Sequence, residues 1–255
     1  MAGASAHAAA LQVRAKALAI AGHLLEAAAQ DLDIEGGTVH VRGTDRAVTL
    51  GEVARTVAGT AGYSLPPGIT PGLEATEHVV IDDMAYANGT IVAEVEVDTG
   101  TGGVTIRRLV ALHDCGRVVN PLLADGQILG GTAHGLGNAL YEWMGYDADA
   151  QPVTTNLGEY LLVTATDMPQ VELLRHESPS PLNALVVKGV GECGVIAVAP
   201  SVVSAIEDAL SPFGVRIDHA PVTPMQVMTL IAAAEIGSAH VSTPVTAASR
   251  MPSSA

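Results

Sequence analysis

The chain has 255 residues, 48% of them hydrophobic but only 3% aromatic, and carries 27 acids against 12 bases for a net charge of −15. A mean hydropathy of +0.34 excludes a mainly disordered chain. The acidic balance excludes the clustered Lys and Arg that nucleic acids and anionic membranes require, and no apolar run reaches the ~20 residues of a membrane span.

Residues 6–30, "AHAAALQVRAKALAIAGHLLEAAAQ", read as a long helix with Leu11, Leu18 and Leu25 recurring every seven residues. Gly36 and Gly37 make a turn, "TVHVRG" alternates like a short strand, and Thr49 is the expected N-cap of a small helix, "LGEVARTVA". The Pro/Gly stretch "YSLPPGITPG" at 63–72 is an irregular connection. A long hairpin follows: "TIVAEVEVD" alternates, "TGTGG" turns, and "VTIRRLVALHDCG" returns. From Pro121 a helix is expected over "PLLADGQILGGTAHGLGNALYEW".

Its glycines (126, 130, 131, 135 and 137) each cost about 1 kcal/mol against Ala in a helix interior. They imply another backbone or a ligand pressing on that helix, or tight packing in an Ala-rich core. Further on, "GYDADAQPVT" predicts a hairpin turn, "QVELLRHE" a strand, "APSVVSAIEDAL" a helix, "VRIDHAPVT" a strand and "PMQVMTLIAAA" a closing helix. The sum is an α+β chain with helices packed on mixed or antiparallel sheets. The expected organisation is an N-terminal helical and hairpin part over 1–62, the 63–72 connection, a core domain over 73–236, and a disordered Ser/Thr/Ala/Pro-rich tail over 237–255.

The stretch "LVVKGVGECGVIAVAP" carries the chemistry. Glu192 sits between Gly191 and Cys193–Gly194, where glycines permit positive φ or close approach and apolar neighbours tune a carboxylate for proton transfer. By itself a GxGE is more often a solvated loop. In "HDCGRVVNP", an Asp–Cys–Gly at a strand end is more often a capped turn than a nucleophile, and Cys115 would react only with a lowered pKa. The histidines show no HxxxH or HExxH spacing, so no protein-ligated metal is expected. Cys115 and Cys193 form no CxxC pattern, the N-terminus has no basic and apolar signal-peptide regions, and a reducing cytoplasm is the expected default.

Several landmarks in order resemble one family: "VAEVEVD", "HDCGRVVNPLLADGQILGG", "HGLGNALYE", "SPSPLNALVVKGVGECG", "AVAPSVVSAIEDAL" and "GVRIDHAPVTP". They are similar to the C-terminal part of the large subunits of molybdenum hydroxylases, the xanthine dehydrogenase, aldehyde oxidase and aerobic carbon monoxide dehydrogenase superfamily. The resemblance implies that Glu192 is the catalytic base beside a molybdenum atom. The metal is held by a molybdopterin, expected in its cytosine dinucleotide form, without protein side-chain ligands. Gly189 and Gly191 would let the loop approach this centre, and Asp114, Cys115 and Asn120 would lie near the cofactor. His134 stands where relatives place a Gln whose amide bonds the pterin; an imidazole supplies one such hydrogen bond but not both amide functions. Asn183 is a turn former first and a substrate-channel residue second.

The family's upstream GGxFGGK-, GQG- and GSRS-type loops do not occur here. The expectation is therefore a truncated product, one half of a split subunit, or a remnant. Its implied partners are the N-terminal half of the molybdenum subunit, an FAD subunit and a [2Fe-2S] subunit. The activity would be oxidative hydroxylation of an aldehyde, an N-heterocycle or CO; the alternative is a catalytically silent module with a structural role.

Overall fold

The computed structural model describes residues 2–58 and 65–241, with side chains as far as 234. The chain divides into two compact units. One comprises residues up to Met84 together with Leu182–Leu185, and the other Ala85–Pro181 with Val186 onward. The first unit thus continues past the 63–72 connection, of which 63 and 64 lie outside the described residues.

In the first unit, α1 (Ala2–Leu25) starts earlier than its leucine spacing indicated and ends sooner. Leu18 and Leu25 are buried with Ala17, Ile20 and Ala21, whereas Leu11 is 53% exposed, so only the second half of the seven-residue stripe meets the core. That half packs against β1 (Leu32–Glu35), β2 (Thr38–Val41) and β3 (Ala47–Thr49), an antiparallel sheet in that order. Of these strands only β2 was legible. The helix α2 (Leu50–Val57) begins at the expected cap: the Thr49 side chain accepts from Glu52 N–H at 3.1 Å, and Glu52 accepts from Thr49 N–H at 2.9 Å.

The second unit is built on β4 (Asn88–Val97) and β5 (Val104–Asp114), the predicted antiparallel hairpin, with β6 (Val171–Arg175) added parallel to β5. The sheet is therefore mixed. Alternation along β5 changes phase in its middle. Glu94 pairs Arg108 while Val95 pairs Ile106, leaving Arg107 as the extra residue of a bulge. Both arginines face solvent, bonded to Glu96 and Glu172. Beyond the bulge Leu109, Ala111 and His113 are the buried positions of one face, with Asp114 buried at the strand end; a one-residue shift exchanges the two faces of a strand.

Against this sheet lies α4 (Val198–Ala209), whose Val198, Val202 and Ile206 recur at helical spacing and are fully buried, and α3 (Pro121–Leu140) packs on α4. The α3 N-cap is Asn120, whose Oδ1 accepts from Leu123 N–H at 3.2 Å. The predicted hairpin turn after Gly145 is present, with a Tyr146–Pro152 bridge.

The predicted strand over 215–223 is not formed. Its alternation is real, since Val215 and Val222 are buried, but its polar backbone is satisfied elsewhere. Ile217 N–H donates to the Glu207 carboxylate at 2.7 Å and Val222 N–H to the Ala139 carbonyl at 2.7 Å. The segment is thus tied to helix residues rather than to a strand. The last helix, α5 (Pro224–Val241), extends beyond the predicted end into the stretch assigned to the tail. The remainder of that stretch, 242–255, lies outside the described residues.

Candidate active site

Glu192 lies where the sequence placed it, on a turn between β6 and α4. Its carbonyl accepts Val195 N–H at 3.1 Å, leading the backbone into α4. The side chain is exposed to a cavity of about 480 Å³ lined by Gly189, Gly191, Cys193, Asn88, Gly89, His113 and small or apolar neighbours. The surroundings are as apolar as expected, but the carboxylate itself is not buried.

Two packing devices hold the turn. The first is the glycine stripe of α3. A Cβ on Gly131 would lie 2.9 Å from the Gly194 backbone, and one on Gly135 would lie 2.6 Å from Val198 Cβ. The expected pressing backbone is therefore the Glu192 turn together with the first turn of α4. Gly126 and Gly130 face open space, so the reason does not extend to them. Gly189 and Gly191 also have open Cβ directions, and neither takes a positive φ. Nothing in the protein's own backbone demands glycine at these two positions.

The second device is a buried ion pair. Asp114, at the end of β5, accepts from Lys188 Nζ at 2.7 Å, with both side chains under a tenth exposed. It also accepts from Gly116 N–H at 2.9 Å and Ser178 N–H at 3.1 Å, while Lys188 donates to Ser178 Oγ at 3.1 Å. Burial pushes the Asp114 carboxyl up, but the Lys188 ammonium and the two N–H donors outweigh it and hold the pKa at about 2. Lys188 N–H donates to Cys115 O at 2.7 Å, and Val187 bridges Gly116. Gly116 has φ +67°, and a Cβ there would meet Val186 O at 2.6 Å. The segment just before Glu192 is thus clasped to the end of β5.

The structure therefore brings together Glu192, Gly189 and Gly191, with Asp114 supporting from behind. Cys115 is buried beside Asp114 and does not line the cavity; burial raises its thiol pKa, as it does for Cys193, so neither is poised as a nucleophile. Asn120 is exposed and caps α3, and His134 lines a separate cavity with Glu142 and Tyr160. Asn183 lies in the turn segment assigned to the first unit.

Two residues escaped sequence reasoning. Lys188 is a single base in an apolar run, and its partner is 74 positions away. His113 is 3% exposed, lines the Glu192 cavity, and neither ring nitrogen has a hydrogen-bond partner among the described residues. A signal for it existed: the Arg107–Arg108 doublet breaks the alternation, and the new phase puts Leu109, Ala111 and His113 on one face.

Residues 1–169 match the molybdopterin cofactor-binding domain family. The chain belongs to that family. The matched region ends before Glu192, but relatives extend over it. The 6-hydroxypseudooxynicotine dehydrogenase complex subunit gamma of Paenarthrobacter nicotinovorans is 39% identical over 90% of this chain and 29% of its own length. The carbon monoxide dehydrogenase large chain of Hydrogenophaga pseudoflava is 34% identical over 89% and 28%. Among solved structures, quinoline 2-oxidoreductase from Pseudomonas putida 86 aligns with a TM-score of 0.73 at 39% identity, over 88% of this chain and 28% of that one. The α+β fold is shared with these relatives, and the chain spans under a third of the length of each.

Proposed function

We propose that this chain supplies the base-bearing wall of a molybdenum hydroxylase active site, with Glu192 accepting the proton released as an oxygen nucleophile is generated. The observation that carries this reading is the cavity itself: an exposed carboxylate flanked by two glycines whose open sides no protein atom fills. Such a cradle fits the close approach of a bulky cofactor. When bound, the molybdenum–pterin centre supplies the two-electron redox chemistry. The residues that would stand against it are Gly189, Gly191 and Glu192, with Cys193 beside them. The cytosine dinucleotide form of the pterin is the proposed cofactor.

The chain's own contribution is positional and acid–base. The α3 glycines and the Asp114–Lys188 clasp fix the turn, so that the Glu192 carboxylate faces the cavity at no cost of rearrangement when a proton is released. Because the relatives are several times longer, we propose that the remaining walls come from further molybdenum-subunit sequence. Electrons would then leave through [2Fe-2S] and FAD partner subunits. The assembly works in the cytoplasm on an aldehyde, an N-heterocycle or CO.

The test is to purify the tagged chain with its bound polypeptides from a host that makes the molybdenum cofactor. Metal and pterin are quantified, and dye reduction is followed with each substrate class. Glu192→Gln keeps molybdenum and pterin but lowers turnover by roughly 10²–10⁴-fold, the ordinary contribution of a general base. Near wild-type turnover in that variant overturns the assignment, and absence of cofactor from every preparation favours a silent structural module.

A further inference from the structure

The helix α3 is apolar on two sides, and only one of them is covered. Its inner side carries Gly131 and Gly135, four residues apart, against which the Gly194 backbone and the Val198 side chain press. About 140° round the helix, by its 3.6-residue turn, Gly126 and Gly130 repeat that spacing. A Cβ at either would meet nothing within 4 Å among the described residues. Leu122, Leu123, Leu129, Gly130 and Ala133 all fall within about 60° of Gly126 around the helix. The three leucines are 81%, 65% and 38% exposed. No charge interrupts this face, since Asp125, the one charged residue of α3, accepts from Arg175 Nε of β6 at 3.1 Å.

A helix that is apolar all round belongs to an interior. Glycines on an open helix face weaken the helix, and leucines left in water forfeit their burial. Both features make sense together when a second element presses on that face. Glycines four apart leave a shallow groove along the i±4 row, with leucine ridges beside it, and such a groove lets another helix come close. We propose that this face of α3 is the docking seat of a helix from the further molybdenum-subunit sequence, a docking that rests on the function proposed above. The region matched here is 29% of the subunit gamma and 28% of the quinoline 2-oxidoreductase chain, so over two-thirds of each relative lies outside it and is available to cover the face. The incoming helix presents uncharged, aliphatic side chains, because a charge buried against these leucines would find no partner. Docking also steadies the Glu192 turn, which packs on the other side of α3 through Gly131.

The tagged chain is co-expressed with the part of the Paenarthrobacter nicotinovorans subunit gamma that lies outside the matched region, so that neither must fold alone, and the co-captured polypeptide is quantified. Burial of one leucine is worth about tenfold or more in affinity. Leu122→Glu/Leu123→Glu should therefore cut capture by at least about tenfold. Acids in the first helical turn favour the helix, so the free variant should melt at or above the wild-type temperature. Gly130→Ala fills the groove and should lower capture about tenfold while raising the melting temperature of the free chain. Asn138→Ala, on the exposed polar side of α3, should leave capture unchanged.

Equal capture of wild type and the leucine variant overturns the proposal, as does no capture of wild type. In the second case light scattering of the free chain shows whether a second copy covers the face instead. Should acids at the leucines unfold the chain, Gly130→Ala decides alone. Glu192→Gln, which tests the proposed function by turnover, leaves capture unchanged, so the two readings fail separately.

Discussion

Replacing Lys188 by methionine removes an ammonium from a nearly closed site and leaves the Asp114 carboxylate with the Gly116 and Ser178 backbone donors. Breaking one side of a buried pair typically costs about 3–5 kcal/mol, because the remaining charge is neither solvated nor compensated. The pKa of Asp114 gives a second, independent magnitude. Held at about 2 against an unfolded value near 3.9, it corresponds to roughly 2–3 kcal/mol of stability. A depressed carboxyl pKa stabilises the fold above the unfolded value, and that contribution is lost as pH falls from about 4 through about 2.

Denaturant unfolding of wild type, Lys188→Met and the double variant Lys188→Met/Asp114→Asn, at pH 7 and at pH 2–3, measures both numbers. Lys188→Met should be strongly destabilised at pH 7 and approach wild type at the acid end. The double variant should regain part of the loss by removing the stranded charge. A Lys188→Met protein within 0.5 kcal/mol of wild type at pH 7, with the same pH profile, would refute the clasp.

Three further outcomes follow from the packing. Gly135→Ala should destabilise by forcing Val198 away, whereas Gly130→Ala, facing open space, should stabilise by up to about 1 kcal/mol; thermal melts of the two give opposite signs. Thr49→Ala should cost about 1 kcal/mol through loss of the α2 capping box, read by chemical denaturation. Cys115 and Cys193 should react slowly with a thiol reagent at pH 7 and rapidly after unfolding, since burial raises both thiols; fast labelling of the folded chain would contradict this.

Much of this was readable from residues alone, for reasons that are local. The β4–β5 hairpin announces itself by alternation around a Gly-rich turn, α2 by its Thr–Glu box, and the crowding of α3 by its glycines. The 215–223 segment misled because alternation records which side is buried, not what satisfies the backbone, and here helix residues do so. The strand β3 is three residues long, too short for a period to register. Glu192 was singled out through motif order. Lys188 and His113 were not, since one is defined by a partner distant in sequence and the other by having none among the described residues.

The clasp also imposes an order on synthesis. The hairpin that carries His113 and Asp114 is complete while Lys188 has yet to be translated, 74 residues later. At the usual 5–20 residues per second, that interval lasts roughly 4–15 s. Throughout it the nascent chain displays one wall of the cavity and an acid without its counter-ion. The Glu192 turn therefore docks onto a finished edge, and anything that recognises that edge alone meets it before the cavity exists.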